Sequence, residues 1–105
     1  MKMIRAVVRR EKENDIAQAL ERSGFSALTK IDVFGRGRQR GIKIGSAKYE
    51  EVAKLMLILV VEDKDFERAI DIIKTSARTG NVGDGKIFVT PVEQVLTVRT
   101  GETVL

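Results

Sequence analysis

The sequence is 105 residues long, 43% apolar and 32% charged, which fits one folded domain with its own core and excludes disorder. It has no cysteine and no histidine, so disulfide scaffolds, thiolate chemistry, histidine-based triads and zinc sites are excluded, and an intracellular setting is expected. A net charge of +4 and a pI near 9.6 point to an anionic partner or simply to a basic surface.

Lys2–Arg9 (KMIRAVVR) alternates Ile4, Ala6 and Val8 against Met3, Arg5 and Val7, which predicts a strand. Broken by Arg5, the same stretch is no signal peptide. ENDIAQALERSG predicts a helix with Asn14 or Asp15 as N-cap, Ile16, Leu20 and Ser23 at helical spacing, and Gly24 as the stop. ALTKIDVF, residues 27–34, alternates again as a second strand. GRGRQRGIKIGSAKYEE then carries four glycines and five cations without a sustained period, and loops of that length are usually functional.

LMLILVV, residues 55–61, is apolar on both faces, brief and β-branched at its end, so it predicts a buried strand and is too short to span a membrane. EDKDFERAIDIIKTSARTG repeats Phe66, Ile70, Ile73 and Ala77 and predicts a second helix, capped by Asp63 or Asp65 and stopped by Gly80. KIFVTPV is the fourth strand, and the tail QVLTVRTGETVL is β-prone and punctuated by a turn.

The order β-α-β-loop-β-α-β is that of an α+β ferredoxin-like sandwich with both helices on one sheet face. Strand 55–61 would leave an apolar outer face, which predicts an oligomer. Two glycine-rich stretches stand out. In TGNVGDGKIFV, glycines 80, 83 and 85 precede Lys86, and such a turn is either an anion cradle of converging N–H groups beside a cation or a plain tight turn. The order helix-loop-strand excludes a Walker A loop and a Rossmann fingerprint. FGRGRQRG supplies Arg36, Arg38 and Arg40, read as a solvated basic loop, a nucleic-acid contact or a phosphate cradle. An RNA-recognition-type domain shares this element order, but LMLILVV lacks the stacking aromatics that it needs.

Taken together, TGNVGDGKIFV, GRQRG and VRTGE resemble the PII signal-transduction family in order and spacing over nearly the whole chain. The resemblance implies a cytoplasmic sensor, not an enzyme, with no nucleic-acid partner and no membrane insertion. It implies a trimer of ferredoxin-like subunits that binds ATP or ADP in the clefts between subunits. A T-loop (about 36–53) would reach partner proteins, beside a B-loop (about 79–86) and a C-terminal loop (about 95–105). Position by position, Gly83, Asp84, Gly85 and Lys86 would hold nucleotide phosphates. Thr29, Gly35, Gly37 and Arg38 would hold adenosine and phosphates, and Arg99 would add a phosphate contact. Gln39 would touch Mg and 2-oxoglutarate with the Gly41 amide nearby, and Lys54 would pair with the far carboxylate.

Thr97 stands where the family often has a second arginine. The T-loop is shorter than in enteric relatives and lacks their modifiable tyrosine, and Tyr49 reads as a packing residue. These departures are similar to the archaeal nitrogenase-regulating branch, in which two PII-like paralogues together inhibit nitrogenase and 2-oxoglutarate relieves the inhibition. That implies a homotrimer or a mixed oligomer with a sister chain, and nitrogenase as partner. The alternative is a general PII regulator of an ammonium transporter or another metabolic enzyme.

Overall fold

The computed structural model describes residues 1–36 and 51–105. Four strands, β1 (Lys2–Arg9), β2 (Thr29–Arg36), β3 (Glu51–Val61) and β4 (Gly85–Pro91), form one sheet in the order β2-β3-β1-β4. Every neighbouring pair is antiparallel. Two helices, α1 (Glu13–Arg22) and α2 (Phe66–Ala77), cover one face. This is the ferredoxin-like arrangement that the element order predicts.

The pleat decides which side chains meet the helices. Ile4, Ala6 and Val8 of β1 stand opposite Leu59, Leu57 and Leu55 of β3. All six are buried against Ile16 and Leu20 of α1 and Ala69, Ile73 and Ala77 of α2. The alternate residues Met3, Val7, Met56, Ile58 and Val60 face away from the helices and are only half-buried, with Ile31 43% exposed beside them. Strand β3 is therefore apolar on both sides, as its sequence indicates, and among the described residues no element covers its outer row.

Helix α1 ends as read. Gly24 sits at φ +89°, its N–H donates to the Glu21 carbonyl at 3.0 Å, and the Phe25 N–H reaches the Leu20 carbonyl at 2.9 Å, which is a Schellman motif. The predicted N-caps are corrected. A 3₁₀ turn, Arg10–Lys12, leads into α1, which starts at Glu13 without a side-chain cap, so neither Asn14 nor Asp15 has that role. A second 3₁₀ turn, Asp63–Asp65, precedes α2. Asp65 stands at the N-cap position, yet its carboxylate takes the Arg68 guanidinium at 3.2 Å, and Asp63 takes the amino terminus at 3.1 Å. Gly80 is no helix stop either, because α2 ends at Ala77 and Arg78 is already extended.

Pairing also extends the strands into the stretch read as loop, with Gly35 opposite Val52 and Arg36 opposite Glu51. The rest of the T-loop reading, including Tyr49, lies outside the described residues. The tail forms no strand. Its turn at 98–100 is closed by the Gly101 N–H on the Thr97 carbonyl at 2.7 Å and the Thr97 N–H on the Glu102 carbonyl at 2.9 Å.

Candidate functional site: a glycine loop clamped by two cations

The register gathers one end of the sheet. Gly85 stands opposite Val8 and Lys86 opposite Val7, and one rung further Arg9 stands opposite Lys54. The 79–84 segment, arriving from α2, therefore crosses directly over the ends of β1 and β3. Arg9 Nε donates to Asp84 Oδ1 at 3.0 Å, and another guanidinium nitrogen of Arg9 donates to the Val82 carbonyl at 2.9 Å. Lys54 Nζ donates to the Gly83 carbonyl. The fit is close: a Cβ on Gly83 would sit 3.2 Å from the Arg9 guanidinium, and one on Gly85 would overlap the Val7 carbonyl.

Asp84 organises this loop from inside. Its Oδ2 accepts the Thr79 N–H at 2.9 Å and the Gly80 N–H at 2.8 Å, while Oδ1 accepts the Thr79 hydroxyl and Arg9. Led by the Thr79 hydroxyl, these donors hold the Asp84 carboxyl well below the usual carboxylate range. Lys54 is shifted down as well. Burial of the ammonium is the main cause and the neighbouring Arg9 charge the second, partly offset by Glu11 and Asp84.

Among the described residues, no hydrogen bond takes the Val82 or Gly83 amide. A turn with unspent amides, Lys86 at its end, and Arg9 and Lys54 beneath it suits an oxyanion. Phosphate fits the donors better than a metal does. Asp84 is committed to donors of its own chain, and the described residues hold no group of three or more acidic, histidine or cysteine side chains placed for a metal.

The residues named from the sequence divide into three groups. Gly35, Lys54, Gly83, Asp84, Gly85 and Lys86 come together, with Gly35 bare against the Lys54 stem: a Cβ there would meet Lys54 Cγ at 3.4 Å. Asp84 lies in the group but is spent on the loop. Thr29 and Arg99 are not brought to it. Thr29 stands opposite Ile58, four residues along β3 from Lys54, a rise of about 13 Å. Arg99 belongs to the tail, which leaves the sheet at Pro91, at the end of β4 away from the loop. Gly37, Arg38, Gln39 and Gly41 lie outside the described residues.

Arg9 is the residue that sequence reading missed. It looks like the last residue of a strand, and only the register with Lys54 and Gly85 reveals its place. A groove of about 780 Å³ lies elsewhere, between α1 and α2 beside Arg22, Arg68 and Asp71.

The chain matches the family model "Nitrogen regulatory protein P-II" over residues 1–102. It is 54% identical over 102 residues to "Nitrogen fixation nifHD region GlnB-like protein 1" of Methanothermobacter marburgensis, with 97% of each chain covered. Against the protein of the same name from Methanococcus maripaludis it is 57% identical over 100 residues, with 95% of each chain covered. It is 45% identical over 106 residues to "Nitrogen regulatory protein P-II 1" of Methanothermobacter thermautotrophicus, covering 97% of this chain and 92% of that one. The chain belongs to the PII family of nitrogen-regulatory signalling proteins, with relatives in the archaeal nitrogen-fixation-region branch. It is accordingly a regulator and not an enzyme.

Proposed function

We propose that this chain reports nitrogen, carbon and energy status by binding ATP or ADP on the 79–86 loop and 2-oxoglutarate beside Lys54, and that it inhibits nitrogenase through its T-loop until 2-oxoglutarate relieves the inhibition. The observation that carries the ligand reading is the loop itself, preshaped by Asp84 and bordered by three cations, Arg9, Lys54 and Lys86. In this reading the amides around Gly83 and Gly85 and the Lys86 ammonium take the phosphates. Gly35, Gly37 and Arg38 lie along the nucleotide, and Lys54 takes the far carboxylate of 2-oxoglutarate. Mg travels with the phosphates, and Gln39 and the Gly41 amide complete the surroundings of Mg and the dicarboxylate. Mg matters because a dicarboxylate beside a bare triphosphate meets like-charge repulsion.

Thr29, distant from the loop in one chain, and Arg99, on the tail that follows the far end of β4, reach the same ligand if they come from a second copy, which makes a cleft between subunits the natural site. The half-exposed row Met3, Val7, Met56, Ile58 and Val60 supplies an apolar surface on which copies, or a sister chain, assemble. Light scattering at micromolar concentration is expected to give about three times the 11.7 kDa chain mass. A mass near 11.7 kDa would overturn the shared cleft.

The nitrogenase assignment draws on relatives named for the nifHD region, and it is tested by retention of the nitrogenase catalytic component on immobilised chain with its sister PII chain present. Retention without effectors and release by Mg-ATP with 2-oxoglutarate is the expected result. Retention that the effectors leave unchanged would refute release. No retention under any condition would favour a general PII regulator of another target.

A further inference from the structure

A carboxylate inside an anion-binding loop is a liability, because its charge opposes the ligand that the loop is shaped to take. Asp84 is such a group, and its bonds to Thr79 and Gly80 fix the loop but bring no full positive charge. Arg9 brings one, at 3.0 Å, and at the same time holds the Val82 carbonyl at 2.9 Å. The side chains of Arg9 and Asp84 are 23% and 24% exposed, so this ion pair is more shielded from water than a surface pair.

We infer that Arg9 is a positioning residue for nucleotide binding, acting through Asp84: it neutralises the carboxylate and pins the loop over the ends of β1 and β3. The inference rests on the phosphate reading of the 79–86 loop and adds a residue and a mechanism to it. The held-down titration of Asp84 agrees, since the carboxylate stays ionised at any physiological pH and its charge must be met by a permanent cation. Arginine suits the task because one planar fork serves a carboxylate and a carbonyl together, which lysine cannot reproduce.

Indirect action separates from direct phosphate contact in a double-mutant cycle. ATP binding is measured by calorimetry for the full-length chain, Arg9→Gln, Asp84→Asn and the double variant, with thermal unfolding of each recorded in parallel. Arg9→Gln alone is expected to weaken ATP about tenfold, as loss of one charge-assisted interaction does. In the Asp84→Asn background the same change is expected to cost less than about twofold, because no charge is left to neutralise. Equal losses in both backgrounds would overturn the inference and make Arg9 a direct ligand contact. No ATP binding by the unmodified chain would overturn the phosphate reading as well. A second measurement needs no Asp84 variant: in ligand-free Arg9→Gln, the Thr79 and Gly80 amides are expected to exchange hydrogen about tenfold faster as their acceptor loosens. Unchanged exchange would contradict the pinning role.

Discussion

Gly85→Ala is expected to unfold at a distinctly lower temperature than Gly24→Ala and to lose ATP binding by about tenfold or more. Both glycines have positive φ, +108° and +89°, so each alanine carries the left-handed penalty of about 1–2 kcal/mol. The two differ in what surrounds them. Nothing lies within 4 Å of a Cβ on Gly24, whereas a Cβ on Gly85 runs into the Val7 carbonyl, a backbone atom with no rotamer to change. Strand β4 must then shift off β1 at the rung that carries Lys86, at a further cost of about 1–3 kcal/mol. The loop that turns into β4 moves with it. Thermal unfolding at fixed protein concentration and ATP calorimetry check both halves, and similar melting temperatures for the two variants would remove the special role of Gly85.

Lys54→Met keeps length and apolar stem but removes the charge, and it is expected to weaken 2-oxoglutarate about thirtyfold or more while leaving ATP within a few-fold. Its effect on stability has a pH signature. The Lys54 pKa in the fold lies below its ordinary 10.5, so between the folded value and 10.5 the unfolded chain binds more protons and stability rises with pH. Below that window Lys54 is charged in both states, and the burial penalty is carried in full. The substitution removes the rise, so the stability curves of variant and parent converge as pH increases through the window. Parallel curves would mean that burial does not strain the Lys54 charge.

The fold was largely legible because its signals are local and periodic. The alternation of Ile4, Ala6 and Val8 and the helical spacing of Ile16 with Leu20 each mark one face of one element, and those faces form the core. Helix starts were less legible. Several acidic residues crowd each start, and 3₁₀ turns at 10–12 and 63–65 carry the chain into the helices with no side-chain cap. The glycine loop announced itself by composition, since Gly83, Gly85 and Lys86 fall within four positions. Arg9 could not, because its neighbours Lys54 and Asp84 are distant in sequence and only antiparallel register unites them. Asp84 was legible as part of the loop but not in its role. Its spacing from Thr79 and Gly80 lets the carboxylate close the turn.

In the proposed function one cluster, the glycine loop with Lys54 beneath it, couples a nucleotide to a dicarboxylate. Calorimetric titration of 2-oxoglutarate into the full-length chain, with and without saturating Mg-ATP, tests this most directly. Binding at micromolar concentrations with Mg-ATP, and none without it, is the predicted result. Equal 2-oxoglutarate affinity in the two titrations would contradict it.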